Sequence, residues 1–202
     1  MNSVFRSECT ALLALFLAGC AAPPLKLYTL NAPQLIEDAR PLPRRAEVIQ
    51  VDRLILPNDV DSEDILISDG NTVARSPTGR WVSPLSMLAT DLVTSRLASS
   101  HPDAMVTDEG SPESADYQLM IHVARLDVTR KGLAVMNANW EISSSKSDRH
   151  PTRGRIQIRL GGPIATDREV VRLEKSLFVR LAEAIKLPAA PVSLRYSSPR
   201  AD

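Results

Sequence analysis

The tightest constraint on the fold is the stretch from Tyr117 to Gly161, where apolar and polar residues alternate through three successive segments. In Tyr117–Arg130, Leu119, Ile121 and Val123 share one parity while Leu126 and Val128 take the other, which predicts a bulge near Ala124. In Leu133–Ser144, Ala134, Met136, Ala138, Trp140 and Ile142 fall on one face. Ile156, Ile158 and Leu160 repeat the pattern before Gly161-Gly162-Pro163, and Lys131-Gly132 marks the first turn. A period of two sustained over such lengths is a strand signal, and the short connections make the segments antiparallel neighbours.

The flanking segments supply the remaining elements. Leu25–Leu30 reads as an edge strand, and Val48–Leu56 as a central strand stopped by Pro57. Ile65–Ser68 and Thr72–Arg75 flank Asp69-Gly70-Asn71, a hairpin turn signal. Ser83 and Pro84 are expected as N-cap and first position of a helix, whose Leu85, Leu88, Ala89, Leu92, Val93 and Leu97 form one apolar face. Met105-Val106 reads as a short strand and Ser145–Thr152 as a polar loop. Thr166 and Glu169 have capping-box spacing, and Val170, Leu173, Leu177, Leu181 and Ile185 run down the face of a second helix. The expected fold class is α+β: an antiparallel or mixed sheet with two helices packed on it.

The amino terminus sets the compartment. Arg6 precedes the apolar run Ala11–Leu17, and Leu17-Ala18-Gly19-Cys20 looks like a bacterial lipobox. The run is shorter than the roughly 20 apolar residues a bilayer-spanning helix needs, so residues 1–19 are expected to be a lipoprotein signal peptide that is removed. Cys20 is then the lipidated first residue. Cys9 leaves with the signal, which excludes disulfide, thiolate-metal and cysteine-nucleophile chemistry from the rest. Residues 20–45 are expected to be a flexible linker carrying the edge strand, 46–187 a single α+β domain, and 188–202 a proline-rich tail. The 24 basic residues balance 24 acidic ones, which argues against nucleic acid as a partner.

No pattern of catalytic chemistry is present. Asn58–Asp64 is crowded with acids, but an EF-hand loop counted from Asp59 requires glycine where Asp64 stands, so a solvated connector is expected. No Gly-x-Ser-x-Gly elbow occurs, and His101, His122 and His150 have no ligand spacing. Gly161-Gly162 lacks the Walker lysine and reads as a turn. Trp81 and Trp140 sit where tryptophan usually serves the core. The sequence therefore offers no catalytic residue, no cofactor-binding residue and no metal ligand.

Several segments taken in order resemble a single family. They are the lipobox at Cys20, Tyr28-Thr29-Leu30, Val51-Asp52-Arg53-x-x-Leu56-Pro57, Asn71-Thr72-Val73 and Arg80-Trp81-x-x-Pro84-Leu85. The family is that of ABC-type transport auxiliary lipoproteins of the PqiC kind. The resemblance covers Cys20 to about Leu187, although Ser145–Thr152 lacks the family's Asp-Gly turn. It implies a non-catalytic periplasmic subunit of an intermembrane phospholipid transport system that supports outer-membrane integrity. Its partners would be an MCE-domain protein and an inner-membrane permease, with the chain homo-oligomeric and held to the membrane by lipid on Cys20. Ala21 in place of aspartate implies the periplasmic face of the outer membrane. Partner contact is expected around Arg80, Trp81 and Pro84, with the acidic connector and the exposed sheet edge. The alternative class is a structural or regulatory outer-membrane lipoprotein that assists cell-envelope or cell-wall synthase assembly.

Overall fold

The computed structural model describes residues 24–30, 41–110, 114–145 and 150–187. The signal peptide, Cys20 and the carboxy-terminal tail expected from sequence lie outside these residues. In chain order the elements are β1 (Lys26–Tyr28), β2 (Val48–Val51), β3 (Asp64–Asp69), β4 (Thr72–Trp81), α1 (Leu85–Ser100), β5 (Met105–Thr107), β6 (Tyr117–Val128), β7 (Leu133–Ser144), β8 (Thr152–Gly161) and α2 (Asp167–Ala184).

The expected antiparallel meander forms the larger sheet. Its order is β5-β2-β6-β7-β8, with β6-β7 and β7-β8 antiparallel and β2 parallel to both its neighbours, so the sheet is mixed. The parity switch in β6 appears as a register shift between Val123 and Arg125, which returns Leu126 and Val128 to the buried side. Gly132 closes the β6-β7 turn at φ 75°, in the left-handed region that glycine occupies without penalty. A smaller sheet, β1-β4-β3, carries the Asp69-Gly70-Asn71 hairpin, with Asp69 opposite Thr72 and Gly70 at φ 62°.

Strand β2 is shorter than its sequence suggests. It ends at Val51, because the following residues turn toward α1 and the Leu54 amide donates to Thr90 Oγ1 at 2.9 Å. Ile55 regains the sheet only through a single parallel bridge to His122. Leu54 and Leu56 are nonetheless buried, so apolar residues that read as strand serve as the packing between β2 and α1.

Both helices present the faces expected of them. Leu85, Leu88, Ala89, Leu92, Val93 and Leu97 of α1 are buried, as are Val170, Leu173, Leu177, Leu181 and Ile185 along α2. The helices pack against each other, with α2 on β7 and β8 and α1 against β5. Each such leucine, valine or isoleucine side chain withdrawn from water stabilises the fold by about 1.5–3 kcal/mol. The reciprocal capping box of α2 is formed: Glu169 N donates to Thr166 Oγ1 at 3.4 Å, and Thr166 N donates to Glu169 Oε2 at 2.9 Å.

The start of α1 departs from expectation. Pro84, not Ser83, occupies the N-cap, and no side chain at that position accepts a hydrogen bond. The cap comes from the acidic connector: Ser86 N donates to Asp61 Oδ1 at 3.0 Å and Leu85 N to the Ser62 carbonyl at 3.2 Å. Asn58–Asp64 is thus a structural clasp rather than a freely solvated loop.

Candidate functional site

The residues singled out by the resemblance converge on the junction of β1, β4 and α1. Strands β1 and β4 are parallel, with Leu27 opposite Arg80 and Tyr28 opposite Trp81. Paired residues share a face of the sheet, and faces alternate along each strand. Tyr28 and Trp81 therefore turn to the core together, while Leu27 and Arg80 turn the other way. Val82 follows on the outward side, its amide donating to the Tyr28 carbonyl at 2.9 Å.

Trp81 is 1% exposed, so its ring is part of the core under the helix start and offers no surface of its own. Arg80 is partly buried. Its Nε lies 3.0 Å from Asp64 Oδ1, and its Nη1 donates to the Ser76 and Gly79 carbonyls at 2.6 and 2.8 Å. Arg75 Nε meets the other oxygen of Asp64 at 3.0 Å, so one carboxylate ties both arginines to the clasp. Pro84 is also partly buried. The apolar groups left exposed around this junction are Leu25, Leu27, Val82 and Met87. They form the exposed apolar margin of the edge strand β1 and of the start of α1.

The second resembling segment, Val51–Pro57, fastens β2 to the same helix. Arg53 Nε and Nη2 donate to Ser86 Oγ at 2.9 and 2.7 Å, and Gln118 Nε2 donates to both oxygens of Asp52. The motif residues therefore form a connected polar frame around the first turn of α1. Their work is to fix the helix start and the connector relative to the sheets.

Beneath the clasp lies a cavity of about 210 Å³ that the sequence did not announce. Asp59 and Asp64 stand at one side, Arg125 and Asp127 at another, and Leu66, Leu126 and Val128 contribute apolar wall. Glu174 of α2 also lines it. This glutamate is 5% exposed, and its Oε2 has no hydrogen-bond partner. Burial lifts its carboxyl from the ordinary 4.5 to about 8, because the charged form loses its hydration without gaining a partner. The signal that would have found it is positional: Glu174 lies four residues after Val170 and three before Leu177, inside the apolar face of α2.

A second concavity, of about 620 Å³, is lined by Ile55, Met120, His122, Glu141, Arg153 and Trp140. Trp140 is half-buried, and its indole lies over Gly154 of β8, where a Cβ would collide with the ring. Arg153 Nε closes on Glu141 Oε2 at 2.6 Å along the edge strand β8. Charged side chains at Arg153, Arg155 and Arg159 discourage open-ended pairing at this edge. Among the described residues no helix is long and apolar enough to cross a membrane, and no group of three or more metal-ligating side chains comes together.

Residues 28–186 match the family of ABC-type transport auxiliary lipoprotein components. The chain belongs to that family. It is thus an auxiliary lipoprotein component of ABC-type transport, as the ordered motifs implied. Two solved structures share the fold of this auxiliary lipoprotein. One, a crystal structure of an uncharacterized protein, superposes with a TM-score of 0.63 at 14% identity, covering 79% of this chain and 95% of that one. The other, protein XCC0632 from Xanthomonas campestris, gives a TM-score of 0.56 at 16% identity, covering 78% and 90%. No curated protein matches the chain in sequence.

Proposed function

We propose that the protein is a non-catalytic, lipid-anchored subunit of an MCE-type intermembrane phospholipid transport system. The observation that carries the reading is the family match over residues 28–186, within which Arg80, Trp81 and Pro84 fall at the best-framed junction of the fold. Residues 1–19 are the signal peptide and Cys20 carries the lipid, holding the domain 46–187 at the periplasmic face of the outer membrane. An MCE-domain protein docks on the margin of Leu27, Val82 and Met87, with Arg80 and Pro84 beside it. Trp81 serves this surface from beneath, by holding the turn between β4 and α1. The subunit works as a homo-oligomer beside the MCE protein and its permease.

The test is a pull-down of the lipidated protein from crosslinked envelopes, with mass spectrometry of its companions and a Cys20→Ser control. Recovery of an MCE protein and permease components supports the reading, and their loss in the Cys20→Ser protein ties it to the anchor. Recovery of cell-wall synthases instead moves the protein to the envelope-assembly class.

A further inference from the structure

We propose that the cavity under the clasp binds a primary alkylammonium group, with Glu174 and Asp59 as its oxygen acceptors. The cavity is open to this because its charges are unevenly paired. Asp64 is held by Arg75 and Arg80 at 3.0 Å each, and Asp127 by Arg125 at 3.0 Å and by the Ser68 hydroxyl. Those two carboxylates are already satisfied. Asp59 is exposed, and its side chain makes no hydrogen bond or ion pair among the described residues. Glu174 lies deeper, 5% exposed, with Oε2 unmatched. Among the described residues the cavity is lined by one cation, Arg125, and Asp127 engages it.

An unpaired carboxyl in the middle of a core helix face costs stability that a leucine would not. Such groups persist where they serve a site. The apolar wall of Leu66, Leu126 and Val128 suits a short alkyl stem, while two carboxyls at different depths suit the three donors of one ammonium. About 210 Å³ equals the share of roughly seven liquid waters at about 30 Å³ each, which admits a small aminoalcohol but no complete lipid. The group would come from a free amine or from the headgroup of an aminophospholipid. The inference does not depend on the transport reading.

Binding has a proton balance that distinguishes it from surface attraction. Below the point where Glu174 ionises, the incoming ammonium keeps its proton and the Glu174 carboxyl releases one to the buffer. The charged groups facing Glu174 are Asp59, Asp64, Arg125 and Asp127; Asp64 stays paired with Arg75 and Arg80, and Asp127 with Arg125.

The experiment is calorimetric titration of ethanolamine hydrochloride into the detergent-purified full chain at pH 7, against sodium chloride of equal ionic strength, in two buffers of different ionisation heat. The expected result is saturable heat whose buffer dependence corresponds to release of about one proton. Glu174→Gln should weaken binding at least tenfold, about 1.4 kcal/mol, and abolish proton release, while its melting profile confirms folding. Asp59→Asn should weaken binding and leave proton release intact. Competition by phosphatidylethanolamine vesicles but not phosphatidylcholine vesicles identifies the lipid headgroup as source; competition by neither identifies free amine. Equal affinity in Glu174→Gln, no heat beyond the salt control, or stronger heat from calcium chloride than from ethanolamine overturns the proposal.

Discussion

Asp61 Oδ1 accepts the Ser86 amide at 3.0 Å, so the first turn of α1 is capped by a residue twenty-five positions upstream instead of by its neighbour Ser83. The same side chain lies 3.9 Å from Arg53 Nη2, which itself donates to Ser86 Oγ. Removing a capping acceptor costs about 1 kcal/mol. Asp61→Ala should therefore lower unfolding stability by about 1 kcal/mol in urea titration. Ser83→Ala should leave it within about 0.5 kcal/mol, as for a surface change away from special features. A larger loss at Ser83 would return the cap to the local residue.

Glycines 70 and 132 separate two costs that a single substitution usually mixes. Both have positive φ, 62° and 75°, but a Cβ on Gly70 meets nothing within 4 Å while one on Gly132 collides with the Gly162 carbonyl. That carbonyl cannot retreat freely, since Gly162 N donates to Gly132 O at 2.9 Å and holds the two backbones together. Gly70→Ala should cost about 1 kcal/mol, the backbone penalty alone. Gly132→Ala should cost about 2–4 kcal/mol, with overpacking added. Thermal melts of the two variants under one condition give the comparison.

Trp140 and Gly154 are opposite one another in the β7-β8 ladder, and the indole takes the place a side chain would fill. Gly154→Ala should displace the ring and cost about 1–3 kcal/mol. Trp140→Leu in the Gly154→Ala background should recover part of that loss, because the obstruction goes with the indole. The coupling is read from a double-mutant cycle of unfolding free energies, and additive costs would mean that the ring does not depend on the glycine.

Where periodicity and turn chemistry act locally, the sequence was legible. The alternation of β6 to β8, the bulge after Val123, the turns at Gly70 and Gly132 and the capping box at Thr166 and Glu169 all depend on residues close in the chain. What escaped depends on contacts between distant segments. Val48–Leu56 reads as one strand, yet Thr90 draws the Leu54 amide away from the ladder. The acids of the connector read as solvated because Ser86, Arg75 and Arg80 lie far off in sequence. Trp81 reads as core from sequence and is core, while the resemblance also set it in the contact motif; register with Tyr28 turns it inward. Glu174 was hidden by the very face that buries it: Val170, Leu173 and Leu177 account for the helix without it.

Glu174 also gives the protein a pH dependence of definite sign. Its carboxyl has a folded value near 8 against an ordinary 4.5, so the unfolded chain releases this proton first as pH rises. A raised carboxyl favours folding less at each step: stability is greatest below about 4.5, falls through the interval to about 8, and levels off above it. The slope is about 1.4 kcal/mol per pH unit, and the whole interval amounts to something on the order of 5 kcal/mol. Asp91 is raised as well, by burial and then by the neighbouring Asp108 carboxylate, so it contributes in the same direction. The informative quantity is therefore the difference between the wild-type chain and Glu174→Gln, measured by urea unfolding from pH 4.5 to 8.5. The amide cannot ionise, so the variant should match the wild type near pH 4.5 and exceed it increasingly toward pH 8. Parallel curves would mean that Glu174 finds a partner or water when charged, and would remove the physical reason for regarding it as a group held in reserve for a ligand.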